Sequence, residues 1–507
     1  MQQQKEAESL LNSMEQTDPV SFLSNLVDVL VNGASRSEAR QLSGLMVKNL
    51  LKNSKQLPYL VDLWIRTPSD LSSSIRTRVL GTLAHPDRAV RNSASQVVAS
   101  ITSLDLPRGE WFDVLQVLIT NASNVNPEFK EASIMTLGYT LEDLPENTLS
   151  QEDVNKILTP IVGCVRAGED INMMIVSIRA LKNSLKFIKA NMQANEERKY
   201  IIETAATCSQ HSNEDLRFES LQMLCDAAYY YHDYIGSELN TLGTVTFNCI
   251  KSDVRRNVVM AVEFWTIIAD SEKALLENGQ PYKGYINIAF NSLTDFAIAK
   301  INDYEETDDD EWNSHKAFAT LVGSMAATIG DAVVDKMHGF IVSEIGAPEW
   351  TRRESAILVL GMILEGPSPN KIGPLLNDCL SSILGLLGDM NNKVRKTTAW
   401  TLSKICEQHL SCIPNAVQGI TPKLLESLDD KPGVATHICW GIICIIDYDP
   451  NSFTNEQLEH IFGKLLSTAY RKDAFDSEHS LQMAAFSALS SLIENAHNGY
   501  TLSLIHI

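Results

Sequence analysis

Residues 391–407 read NNKVRKTTAWTLSKICE: a polar turn, an apolar residue, the basic Arg395, then a stretch whose apolar side chains return every three or four positions. That spacing gathers Ala399, Leu402, Ile405 and Cys406 on one side of a helix and leaves polar residues on the other. The same phrase recurs as DRAVRNSAS (87–95) around Arg91, NEDLRFES (213–220) around Arg217 and TRRESAIL (351–358) around Arg353. Weaker copies add Arg40, Lys130, Met174, Arg256, Lys316, Ala435 and Gln482 as anchors, and most steps between anchors fall near 40 residues. A further amphipathic stretch precedes the anchor helix, as in WFDVLQVLITNAS (111–123).

A ~40-residue unit of two helices is the period of HEAT and armadillo repeats. One pair cannot bury its apolar face alone, so neighbours must stack. The period therefore predicts an all-α HEAT-repeat α-solenoid of about eleven repeats over residues 1–507, a right-handed superhelix of antiparallel helix pairs. First helices lie outside and second helices line the concave face. TLGTVTFNCI (241–250) is the most strand-like stretch, yet it falls in register with the helices and is read as one.

Composition agrees. The chain has 507 residues, too many for one compact core at ~150 residues per domain, and 25 Gly with 17 Pro leave few helix breakers. The nine cysteines form no CxxC pair and read as reduced core thiols of a cytosolic or nuclear protein. Residues 1–16 are polar, unlike a signal peptide. The most apolar run, His437 to Ile446, is about half the ~20 residues a membrane helix needs, so no membrane partner is expected. With 42 basic and 63 acidic side chains the formal charge is −21, which repels nucleic-acid phosphates and favours basic proteins or basic tails.

Two features break the repeat. The long interval between Arg256 and Lys316 holds INDYEETDDDEWN (301–313), an acidic loop over about 303–313 that includes Asp308, Asp309, Asp310 and Glu311 and ends on Trp312. Trp400 and Trp440 each lie five residues past their anchors, where other repeats carry Gln96, Arg179 and Gln222. Those polar counterparts predict partly exposed indoles stacked as a ladder; buried core tryptophans are the competing reading. Indoles beside carboxylates suit Lys and Arg, whose charge faces the ring and whose stem packs on it. No phosphate-binding loop, HExxH, GxSxG or zinc ligand set occurs, so no catalytic residue, metal site or cofactor is expected, and the chain reads as a non-enzyme.

At these residues the chain resembles the importin-β (karyopherin-β) family of nuclear transport receptors. The marks are SEARQLSGLMVKNLL (37–51), VRNSASQVVASI (90–101), DLPRGEWFDVLQVL (105–118), LKNSLKFIKANM (181–192), DDDEWN (308–313), RRESAILVLGMILEGP (352–367) and VRKTTAWTLSKICE (394–407). The resemblance implies a cytoplasmic and nuclear carrier, found at pore complexes of the nuclear envelope, that binds importin-α or basic cargo, FG-repeat nucleoporins and Ran-GTP. It places Ran recognition in about residues 1–120, on Lys48 and Arg91, with Asp308 to Glu311 facing Ran's basic surface. It assigns Trp312, Trp400 and Trp440 to cargo. Nucleoporin binding falls on Leu158, Thr159, Val162, Glu197, Tyr200 and Ile201, between outer helices of the family's fifth and sixth repeats, with Tyr200 where Phe is common. A HEAT scaffold of another kind, such as a phosphatase regulatory subunit, is the alternative. The family continues past TLSLIHI (501–507), so a fragment with an incomplete C-terminal end after about residue 495 is expected.

Overall fold

The computed structural model describes residues 2–52, 62–165, 170–303, 312–474 and 481–495, and among them every regular element is helical. The carboxylates predicted at Asp308 to Glu311 lie outside the described residues. The chain divides into two compact units, Met1–Phe247 and Asn248–Ile507.

In the first unit α1 (Gln2–Thr17) leads into α2 (Pro19–Val31) and α3 (Ser37–Lys52), then the short α4 (Leu63–Arg66). The pairs α5 (Ser69–Gly81) with α6 (Arg88–Asp105), α7 (Asp113–Asn121) with α8 (Pro127–Asp143), and α9 (Gln151–Cys164) with α10 (Ile171–Ser184) follow. After the short α11 (Lys189–Gln193) comes α12 (Asn195–Cys208) with α13 (Glu214–Tyr231). The strand-like stretch 241–250 lies in a helix, α14 (Leu239–Ser252), as expected.

The second unit holds α15 (Arg255–Glu277), α16 (Tyr285–Lys300) with α17 (Ser314–Ile329), α18 (Asp331–Glu344) with α19 (Trp350–Met362), and α20 (Pro369–Leu386) with α21 (Asn392–Gln408). It ends with α22 (Ala416–Ser427) and α23 (Pro432–Tyr448), then α24 (Asn455–Ala469) and α25 (Leu481–Asn495). Second helices pack on one another in order: α3, α6, α8, α10 and α13 in the first unit, and α15, α17, α19, α21, α23 and α25 in the second.

The repeated phrase has a physical basis at each turn. Its polar residue is the N-cap: Asp87, Asn126, Asp170, Asn213, Asn313 and Asn391 each accept a hydrogen bond from the backbone N–H of the second or third residue of the following helix. Such a cap is worth about 1 kcal/mol. Its arginine ties the turn. Arg91 Nη1 donates to the carbonyls of His85 and Pro86, and Arg217 Nη1 to those of His211 and Ser212. Arg353 reaches Ala347 and Pro348, and Arg395 reaches Asp389 and Met390. Carbonyls five and six residues back, which a sharp inter-helix turn would otherwise leave without donors, are thereby satisfied.

The other edge of the guanidinium joins repeats. Arg353 forks onto Asp389 of the next turn at 2.7 and 3.0 Å, and Arg395 onto Asp430 of the one after at 2.5 and 2.9 Å. The fork of donors matches a carboxylate bidentately, which Lys could not do. Burial works against the charge on Asp389, but the Arg353 hydrogen bonds outweigh it and hold the carboxyl below its ordinary range.

Candidate functional site

On the second-helix face of the second unit, α21 presents Trp400 and α23 presents Trp440, while Trp312 stands just ahead of the α17 N-cap Asn313. Trp312 is 51% exposed and Trp440 47%; Trp400 is half-buried. Trp400 lies against α19 because residue 361 there is glycine. A Cβ on Gly361 would stand 2.6 Å from Thr401 Oγ1, 3.0 Å from Trp400 Cε3 and closer still to Trp400 Cζ3. The Lys404 ammonium sits 4.9 Å from the Trp400 ring centre, a cation already on the indole face. Two turns beyond each tryptophan the same helix face carries an exposed carboxylate, Glu407 after Trp400 and Asp447 after Trp440. Ser491 and Asn495 of α25 donate to Asp447 at 2.7 and 2.9 Å.

Trp312 and Trp400 line one cavity of about 320 Å³. The loop carboxylates expected beside these indoles lie outside the described residues. The described lining is basic, with Lys316, Lys393, Lys396 and His437, and Glu354 is its one described carboxylate. The lysines follow from the phrase itself, which puts basic residues beside its arginine at 393 and 396. Glu354 is engaged from within: Thr397 Oγ1 donates to Oε1 at 2.8 Å, and His315 Nε2 lies 2.7 Å from Oε2, off the ideal hydrogen-bond direction. Burial disfavours the charged imidazole, but the Glu354 carboxylate and the Ile301 carbonyl outweigh it, so the His315 pKa is raised above 6.5.

On first helices of the first unit, α9 and α12 flank a cavity of about 780 Å³. Its lining includes all six residues named from the sequence: Leu158, Thr159 and Val162 from α9, and Glu197, Tyr200 and Ile201 from α12. Counted from α2 and α3, these are the first helices of the fourth and fifth pairs. Tyr200 is 42% exposed, and Leu158, Val162 and Ile201 form an almost covered floor. Asn155, Gly163, Asn191 and Glu196 also line the cavity, and sequence reasoning missed them. Asn155 and Gly163 could have been found by extending the four-residue spacing from Thr159 in both directions. Asn191 has no such signal: it reaches the groove through α11, where it donates to Asn155 Oδ1 and Glu197 Oε2 at 2.9 and 2.6 Å.

The two residues singled out near the N-terminus lie on adjacent second helices but differ in availability. Lys48 on α3 is half-buried and donates to Gln96 Oε1 on α6 at 3.0 Å. Arg91 is only 4% exposed, and its guanidinium holds the turn carbonyls beside Glu131. Within this chain those bonds give Arg91 a scaffold role.

Capped helix pairs, an arginine–aspartate ladder and two open cavities define the class as a HEAT-repeat α-solenoid built for binding. Residues 7–85 match the Importin-beta N-terminal domain family and residues 350–405 the HEAT-like repeat family. The chain is 30% identical to importin subunit beta-1 of Arabidopsis thaliana, over 96% of this chain and 59% of that protein. It is 27% identical to importin subunit beta-1 of Saccharomyces cerevisiae, over 97% and 59%. The solved structure of yeast importin-beta (Kap95p) superposes with a TM-score of 0.82 at 26% identity, covering 97% of this chain and 59% of that one. The chain is similar to importin-β proteins over nearly its whole length, and it spans about three-fifths of the length of these relatives.

Proposed function

We propose that this chain acts as a nuclear transport receptor that moves between cytoplasm and nucleus, associates with pore complexes and performs no chemistry of its own. Basic cargo or an importin-α basic segment lies along the second-helix face of the second unit, with its cations over Trp312, Trp400 and Trp440. FG-repeat nucleoporins seat Phe rings between α9 and α12. Ran-GTP engages the N-terminal second helices around Lys48, and the carboxylates at 308–311 suit a basic surface of the same partner. Two solved relatives support the Ran and nucleoporin partners. One is Kap95p in a complex whose binding switches the loops of RanGDP to the GTP-bound conformation, and the other is a Kap95:Nup1 complex, each 26% identical to this chain.

The observation that carries the reading is the pairing of Trp400 with Glu407 and Trp440 with Asp447 on consecutive second helices. An indole face and a carboxylate about two turns apart accept a long cationic side chain at both stem and charge. The test is retention on immobilised Ran in its GTP and GDP forms, with release of a bound fluorescent basic peptide followed in parallel. Selective retention on Ran-GTP with peptide release is expected. Equal retention on both forms would overturn the proposal.

A further inference from the structure

Second helices α6, α8 and α10 of the first unit surround a cavity of about 410 Å³. In a chain of formal charge −21, its described lining holds two arginines, Arg88 and Arg179, and no carboxylate. Small residues open it. A Cβ on Gly138 of α8 would stand 3.0 Å from both Cα and Cβ of Ala180 on α10, so the two helices cross with no room for a side chain there. Met135 and Val176 supply an apolar wall beside this crossing.

The arginines are held from behind. Arg88 Nη2 donates to Glu131 Oε1 at 2.6 Å and Arg179 Nη2 to Glu219 Oε1 at 2.5 Å. Both carboxylates are nearly buried, whereas both guanidinium side chains are about half exposed. A guanidinium carries five N–H donors in a planar fork. With Nη2 fixed to its glutamate, Arg179 keeps Nε and Nη1. Arg88 keeps Nε, and its Nη1 makes only a long bond of 3.3 Å to Asn172 Oδ1.

Asn92 on α6 is oriented in the same sense. Its Oδ1 accepts from the Tyr139 hydroxyl at 3.0 Å and from Gln96 Nε2 at 3.4 Å, which leaves Nδ2 as a donor. Burial pushes the Tyr139 phenol above its ordinary range, against the opposing charge of Arg179, so this hydroxyl stays protonated and adds no negative charge of its own.

A cavity lined by donors and two cations calls for an anion. Two guanidiniums are balanced better by a dianion than by one carboxylate. A phosphoryl group carries a charge of about −1.5 to −2 and three strong acceptor oxygens, and the arginine fork matches its geometry. The low floor at Gly138 and Ala180 lets a guest backbone come close.

We propose that this cavity binds a phosphoserine or phosphothreonine side chain in an extended segment of a partner protein, with Arg88, Arg179 and Asn92 as donors. Phosphorylation then admits a partner through the first unit without the Lys- and Arg-rich segment that the second-unit indoles receive. The inference is independent of the cargo and nucleoporin readings.

The test is fluorescence anisotropy with the whole chain and a labelled peptide pool carrying one phosphoserine among uncharged residues, beside matched pools with serine or glutamate at that position. The phosphoserine pool should bind at least about tenfold tighter than either, and Arg88→Gln and Arg179→Gln should each remove about tenfold or more of that affinity. Because Arg179→Gln strips the nearly buried Glu219 of its guanidinium, the double variant Arg179→Gln with Glu219→Gln, which keeps the net charge, should show the same loss with its helical circular dichroism intact. Arg352→Gln removes one positive charge from the second unit and should leave binding as in the wild type. Equal affinity for the serine pool, binding indifferent to both cavity arginines, or an equal loss in Arg352→Gln would overturn the site. A glutamate pool bound as tightly as the phosphoserine pool would overturn the phosphoryl assignment.

Discussion

Gly361→Ala tests whether the position of Trp400 is imposed by packing. The new methyl would fall well inside contact distance of the Trp400 ring and 2.6 Å from Thr401 Oγ1, which is occupied donating to the Ile357 carbonyl at 3.0 Å. Overpacking of this kind costs about 1–3 kcal/mol. Replacing glycine by alanine inside a helix returns about 0.5–1 kcal/mol. The balance is a loss of about 1–2 kcal/mol, borne by the α19–α21 contact. Amide hydrogen exchange over these two helices should accelerate about 5- to 30-fold, and tryptophan emission should shift as the ring is lifted toward solvent. Removing the ring removes most of the clash, so the same substitution in a Trp400→Ala background should cost markedly less. Unchanged exchange and emission in Gly361→Ala, or an equal cost in both backgrounds, would refute the reasoning.

Further outcomes are expected. Trp440→Ala should weaken binding of a Lys- and Arg-rich peptide about 5- to 30-fold, as loss of a cation–π contact worth about 1–2 kcal/mol implies; unchanged fluorescence anisotropy titrations would remove this indole from the cargo face. Ile201→Asp should weaken Phe-Gly peptide binding while leaving Ran-GTP retention near wild type, and equal loss of both would indicate damage beyond the groove. Arg353→Ala deprives the nearly buried Asp389 of both its forked hydrogen bonds and should destabilise the second unit by about 2–4 kcal/mol, a discount on a fully buried pair; a urea midpoint within error of wild type would refute the ladder's role. Because the folded pKa of His315 is raised, its pairing with Glu354 stabilises the fold fully below about pH 6.5, the unfolded value, and that contribution fades as pH rises through the folded pKa. His315→Gln should flatten this part of the pH–stability curve, and identical urea midpoints against pH in both proteins would count against the pairing.

The helix pairs were legible in the sequence because the interactions that make them are local. An N-cap lies two or three residues from the N–H it satisfies, and the anchor arginine reaches carbonyls five and six positions back. Any chain that repeats the phrase must repeat the turn. The α9–α12 groove was partly legible too, since Leu158 with Val162 and Glu197 with Ile201 share helix faces by spacing alone.

What the sequence could not announce depends on neighbours about 40 residues or more away. Arg91 reads like an exposed basic residue until the turn carbonyls and Glu131 enclose it. Nothing in the spacing of Trp400 shows that Gly361, on another helix, clears room for its ring, or that Lys316, Lys393 and Lys396 converge beside it with Glu354 turned toward His315. Helical periodicity dictates which face a side chain occupies, whereas its exposure and the charge around it are decided by the helices that pack beside it.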